Sequence, residues 1–140
     1  MTDVLIDTSS WINFFSRREK RQAEVVTSLL KKGNALINGF ILAELLQGVR
    51  KEEERKILEK RLLALRRIPV NEEEFLRAGH LSALLRQKGE TVNLVDILIA
   101  QSAITHHLML LHWDSDYHRI ARHSSLKIHE DSLPVRKIRE

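Results

Sequence analysis

Three carboxylates lie inside apolar runs, where an acid is out of place. Asp7 follows Val4-Leu5-Ile6, Glu44 sits between Ile41-Leu42-Ala43 and Leu45-Leu46, and Asp96 sits between Leu94-Val95 and Ile97-Leu98-Ile99-Ala100. A fourth, Asp114, is separated by two residues from the run Leu108-Met109-Leu110-Leu111, with Asp116 just beyond. Removing an ionised carboxylate from water without a partner is strongly unfavourable, so such groups are paired, protonated or bound to metal. None of the first three runs contains a Lys or Arg. Oxygen donors with no His or Cys among them suit Mg²⁺ or Mn²⁺ better than zinc. A hard cation of that kind activates water and steadies the charge of an in-line phosphoryl displacement. The chemistry expected is metal-assisted phosphodiester hydrolysis.

The elements that must gather these acids follow from the apolar periodicity. Val4–Ile6 reads as a buried strand ending at the helix-capping residues Asp7-Thr8-Ser9-Ser10. Trp11, Phe14, Phe15, Val25, Val26, Leu29 and Leu30 have helical spacing, interrupted by Arg17-Arg18-Glu19-Lys20-Arg21. That pattern predicts two helices with a charged break, ending near Lys32. After Gly33-Asn34 come a second strand over Ala35–Asn38 and a helix from Ile41 to Gln47 that stops near Gly48. Residues 50–67 carry both charge signs and a narrow apolar stripe, and read as one solvent-facing helix. Asn71-Glu72-Glu73-Glu74 suits a helix N-terminus, where acids oppose the dipole, and that helix should run to Gly89. Val92–Ala103 is apolar nearly all round and predicts a buried helix. Leu108–Leu111 is the third strand, Asp116–His123 a short helix, and Leu126–Ile128 a last strand. With no hairpin signal between neighbouring strands, the fold expected is α/β, a parallel sheet flanked by helices. Ligands bind such a sheet beyond the carboxyl ends of its strands. Asp7 and Asp114 sit at two such ends, and Glu44 opens the helix after the second strand. Asp96 must reach the same edge by lateral packing of its helix. Like charges gathered there repel unless a cation is present.

Composition sets the outer bounds. A length of 140 residues predicts one domain over 1–140, with a basic tail from about residue 134 loosely held. At 43% hydrophobic and 30% charged, the chain can bury a core. Only 5 Gly and 2 Pro argue against a turn-rich β-sandwich, and the absence of Cys removes thiolate zinc sites, disulfides and Cys nucleophiles. Asp3 and only three apolar residues before Asp7 leave no room for a signal-peptide core, and no apolar run approaches a membrane span. The expected location is the cytoplasm, with no membrane partner. The net charge of +4 hides an asymmetry. Outside the five acids of the proposed cluster, 23 Lys plus Arg face 14 acids, a net +9. A basic body around one acidic hole suits a polyanionic partner.

The same residues carry a family resemblance. Val4-Leu5-Ile6-Asp7-Thr8-Ser9-Ser10-Trp11-Ile12, Ile41-Leu42-Ala43-Glu44-Leu45-Leu46-Gln47-Gly48-Val49-Arg50, Val95-Asp96-Ile97-Leu98-Ile99-Ala100 and Trp113-Asp114-Ser115-Asp116-Tyr117, in that order, resemble a PIN-domain protein of the VapC toxin type. The resemblance spans nearly the whole chain. It implies a three-layer α/β/α sandwich and an endoribonuclease dependent on Mg²⁺ or Mn²⁺. It further implies a cognate VapB-type antitoxin that covers the site, a homodimer, and a heterotetramer or larger assembly with the antitoxin. Asp7, Glu44, Asp96 and Asp114 match the family's acidic metal-binding positions, and Asp116 matches the second acid of its Asp-x-Asp-aromatic signature. Ser9 matches a hydroxyl position suited to bonding a carboxylate. His112-Trp113 departs from the smaller polar residue often found before Asp114.

Each acid taken alone has a plainer explanation. Asp7 could cap a helix, Glu44 could pair with Arg50, and Asp114 or Asp116 could be a turn or cap residue. Asp96 inside a buried helix resists such treatment. His112, Asp114, Asp116 and His118 alternate through a turn and a helix start, a spacing that does not converge on one ion. Arg17, Arg18, Arg50, Arg86 and His118 are candidate RNA contacts, although solvated Lys and Arg are ordinary on any surface. Competing functions are a PIN-fold interaction module without catalysis and a structure-specific DNA nuclease. Phosphotransfer is disfavoured because Asp7-Thr8-Ser9 lacks the second Asp that an aspartyl-phosphatase pattern needs.

Overall fold

Val4–Ile6 (β1) and Ala35–Ile37 (β2) are buried at every position, and Met109–Leu111 (β4) nearly so. Continuous rather than alternating apolarity marks strands covered on both faces. In the computed structural model, which describes residues 2–136, these three form the centre of a five-stranded sheet. Arg66–Arg67 (β3) and Lys127–Ile128 (β5) are its edges, in the order β3-β2-β1-β4-β5. All four pairings are parallel, with Val4 opposite Ala35 on one side and Met109 on the other. Short, charged edge strands discourage pairing with other chains.

Seven helices connect the strands: Thr8–Ser16 (α1), Lys20–Lys31 (α2), Gly39–Gln47 (α3), Glu52–Leu63 (α4), Glu72–Gln87 (α5), Leu94–Thr105 (α6) and Asp116–Arg122 (α7). The crossovers β1-β2 and β2-β3 step one way along the sheet, whereas β3-β4 returns past β2 and β1 and β4-β5 continues outward. Right-handed crossovers therefore put α1 to α4 on one face and α5 to α7 on the other, a three-layer α/β/α sandwich. The chain direction reverses beside β1, so the topological switch point lies between the carboxyl ends of β1 and β4.

Local chemistry accounts for most boundaries. Asp7, Asn38, Asn71 and Asn93 each cap a helix through a side-chain oxygen, and Asn71 with Glu74 forms a reciprocal capping box. The charged break after α1 is a left-handed turn at Arg17, with φ 54°. The core fills both sides of the sheet, with Trp11, Ile41, Leu62, Leu85, Ile97, Ile99 and Ile120 packed around Leu5, Ile6, Leu110 and Leu111. The helix expected over 50–67 is shorter. It stops at Leu63, and Arg66 and Arg67 pair with Leu36 and Ile37 as an edge strand. Two exposed arginines leave no apolar signature, because an edge strand with both faces in water needs none. The buried helix begins at Leu94, after the Asn93 cap, and runs two residues past Ala103. Pro134, Val135 and Arg136 are exposed and carry no helix or strand; the remainder of the expected tail, 137–140, lies outside the described residues. No helix among the described residues is long and apolar enough to cross a membrane.

Candidate active site

The acids converge at the switch point. Asp7 leaves the end of β1 and is 3% exposed, while Glu44 projects from α3, Asp96 from the first turn of α6, Asp114 from the turn after β4, and Asp116 opens α7. One carboxylate oxygen from each of Asp96, Asp114 and Asp116 lies within 4.8 Å of the other two. The lateral packing demanded of Asp96 is real: α6 lies against β4, α3 and α7.

A web of hydrogen bonds fixes the members. Asp7 Oδ2 accepts from Ser9 N at 3.0 Å and Ser9 Oγ at 2.6 Å, while Asp7 Oδ1 accepts from the Tyr117 hydroxyl at 2.6 Å. Asp7 is thus both the cap of α1 and a member of the cluster. Ser9 Oγ in turn accepts from Trp113 N at 2.8 Å, tying the β1 end to the β4 end. Glu44 accepts from Thr8 Oγ1 at 2.7 Å, which joins α3 to α1. Asp116 N donates to Asp114 Oδ1 at 3.0 Å, and Arg119 donates to Asp116 Oδ1 at 2.6 Å. Arg119 also faces Glu90 at 3.7 Å, and Arg122 donates to Glu90 at 3.1 Å, so the loop before α6 is pinned to α7.

The electrostatics follow from burial and crowding. Desolvation, then repulsion from Asp7, Asp114, Glu44 and Asp116, pushes Asp96 up to about 7. Burial raises Asp7 above its ordinary 3.8, against the opposing pull of its bonds from Ser9 and Tyr117. The Tyr117 hydroxyl is raised well above 10 by its burial and by Asp7 and Asp96. His112, fully buried behind the turn, is pushed down to about 3 by desolvation and by the neighbouring His118 ring. It works as a neutral acceptor, taking Asp114 N on Nδ1 at 3.1 Å.

The other residues singled out in the sequence stand apart from the acids. Arg17, Arg18, Arg50 and Arg86 are exposed, and among the described residues no side-chain bond links them to the cluster. His118 is half-buried, with Nε2 2.7 Å from the Leu133 carbonyl oxygen. Glu44 bonds Thr8, and no ion pair with Arg50 forms among the described residues. Thr8, Tyr117 and Arg119 were not legible as site residues. Thr8 looked like one more capping residue, and Tyr117 stood only as the aromatic that closes the Asp114-Ser115-Asp116-Tyr117 signature, with no role of its own. Arg119 was one of 23 basic residues, although its i,i+3 spacing from Asp116 on a helix is a usable signal.

The PIN domain family matches residues 4–123 of the chain. VapC ribonuclease Mb1587 of Mycobacterium bovis and Ribonuclease VapC11 of Mycobacterium tuberculosis are each 33% identical over 128 residues, covering 89% of this chain and 96% of theirs. Among solved structures, VapBC2 from Rickettsia felis bound to a promoter DNA fragment superposes with a TM-score of 0.76 at 23% identity, covering 91% of this chain and 98% of that one. DNA-bound VapBC from Salmonella typhimurium superposes at 0.74 with 22% identity, covering 92% and 98%.

Proposed function

The chain belongs to the PIN domain family, and on that premise we propose that it is a metal-dependent endoribonuclease, the toxin of a toxin–antitoxin pair, which hydrolyses phosphodiester bonds in RNA at the acidic cleft. The observation that carries this reading is the convergence of Asp7, Glu44, Asp96, Asp114 and Asp116 at one sheet edge, with Arg119 the one cation paired among them in the described residues. The donor set fits a hard divalent ion, Mg²⁺ or Mn²⁺. It is all carboxylate oxygen, and the crowding that raises Asp96 is a deficit of positive charge that such an ion relieves.

Asp7, Glu44, Asp96, Asp114 and Asp116 are the proposed ligands, and of these Asp96, Asp114 and Asp116 each bring a carboxylate oxygen within 4.8 Å of the other two. When bound, the ion supplies Lewis acidity toward the phosphodiester and toward water. The chain's own groups do the positioning. Ser9 and Tyr117 orient Asp7, Thr8 orients Glu44, and Arg119 holds Asp116 while balancing its charge. The basic remainder of the chain favours approach of a polyanion, and Arg17, Arg18, Arg50 and Arg86 are its proposed contacts. Beside Glu44, a groove of about 440 Å³ lined by Ile12, Phe15, Leu45, Val49 and Leu58 is the proposed seat of a VapB-type antitoxin. Phe75 and Leu76, exposed on α5, are the proposed homodimer face.

The test is cleavage of total RNA by the purified chain, with EDTA added and then overcome by Mg²⁺, beside Asp96→Asn and a matched DNA substrate. Metal-reversible cleavage of RNA alone, lost in the variant, is expected. Cleavage indifferent to EDTA, or preserved in Asp96→Asn, would remove the reading, and preference for DNA would redirect it to a DNA nuclease.

A further inference from the structure

Tyr117 has a place in the site that neither its burial nor its aromatic character explains. The side chain is 0% exposed, so its volume belongs to the core, and a phenylalanine would fill that volume as well. Its hydroxyl, however, donates to Asp7 Oδ1 at 2.6 Å, the short range of a charge-assisted bond, and lies 3.4 Å from Asp96 Oδ1. A phenol has one proton to give, so it is committed to Asp7 while its oxygen sits beside Asp96. An ionised carboxylate offers about four acceptor positions. On Asp7 three are filled, by Ser9 N, Ser9 Oγ and Tyr117, and the three donors come from both sides of the group. Its rotation is therefore blocked. Tyr117 is held in turn by its own surroundings: its backbone N bonds Asp114 O at 3.2 Å and its ring lies 5.0 Å from that of His112. One side chain of α7 thus sets the direction of the acid that follows β1 and borders an acid on α6.

We propose that Tyr117 is a positioning residue of the acidic centre, its hydroxyl fixing the Asp7 carboxylate and its spacing from Asp96, so that divalent-cation affinity depends on that hydroxyl. The inference rests on the reading of the cluster as a metal centre. Partners that orient metal ligands are typically worth tenfold or more in affinity. Tyr117→Phe should then bind Mg²⁺ about tenfold more weakly, with the far-ultraviolet dichroism of the wild type.

Because Tyr117 is the sole tyrosine of the chain, growth on 3-fluorotyrosine labels this position alone. The experiment pairs calorimetric titration of wild type and Tyr117→Phe with Mg²⁺ and ¹⁹F spectra of the labelled wild type across the same titration. The single resonance should move with the calorimetric midpoint. Wild-type Mg²⁺ affinity in folded Tyr117→Phe, or a resonance unmoved at saturation, overturns the proposal. If the variant does not fold, the labelled wild type decides by itself. A wild type that takes up neither Mg²⁺ nor Mn²⁺ removes the metal centre, and this inference with it, an outcome separate from a bound metal that ignores Tyr117.

Discussion

Replacing Asp96 by Asn should make the protein more stable, in a way that depends on pH. Asp96 is raised from 3.8 to about 7 in the fold by burial and by four neighbouring acids. A carboxyl whose folded value is raised holds its proton more tightly in the native than in the unfolded chain. Stability therefore falls as pH rises from about 4 to about 7, and the whole penalty is present above 7. Taken entire, the rise corresponds to about 4 kcal/mol. Asp96 is only part-buried, and solvent screening reduces this to about 1–2 kcal/mol. Asn keeps the shape and discards the charge. Asp96→Asn should accordingly melt about 4–8 °C above wild type at pH 8 in EDTA. At pH 4 the advantage should shrink to about a third. The assay is a pair of thermal melts at each pH from 4 to 8, where contributions shared by both proteins cancel in the difference. A variant that melts at or below wild type at pH 8, or whose advantage does not change with pH, would refute the account of crowded, half-buried acids.

Mg²⁺ should act through the same charge deficit: at 100 times its dissociation constant it stabilises a native-only site by about 2.7 kcal/mol, and differential scanning calorimetry should find this gain in wild type and not in Asp96→Asn. Arg119→Gln removes the 2.6 Å pair with Asp116 and leaves that acid facing Asp96 and Asp114. Urea unfolding should register a loss of about 1 kcal/mol that shrinks as salt is raised. His112, depressed to about 3, works in the opposite sense from Asp96, since the unfolded chain binds a proton that the buried ring refuses; its contribution is whole above 6.5 and fades as pH falls toward 3. His112→Asn, whose amide oxygen can take the Asp114 N–H bond, should flatten the acid limb of a stability–pH curve.

The legible parts of the fold were those where burial writes itself into residue type. Val4–Ile6, Ala35–Ile37 and the Leu108–Leu111 region are covered on both faces and so are apolar at every position. Asn71 announces a helix start by the chemistry its cap requires. Arg66–Arg67 escaped because an exposed edge strand is held by backbone bonds to β2 and needs no particular side chain. The acids were legible for the converse reason: a charge in an apolar run demands a cause.

What sequence alone determined, then, was which groups would be conspicuous. Asp7, Glu44, Asp96 and Asp114 stand out because burying a charge is expensive wherever it occurs, and that expense does not depend on who the neighbours are. Who the neighbours are was decided only by the tertiary structure. Tyr117 donates to an acid 110 positions away, Ser9 Oγ accepts a hydrogen bond from Trp113 N across 104 positions, and Thr8 donates to Glu44 across 36. A hydroxyl is acceptable in a cap, in a core or on a surface, so its type says little about its partner. Only the reversal of strand order beside β1, which brings the ends of β1 and β4 together and lays α6 and α7 against them, turns those hydroxyls into parts of one site.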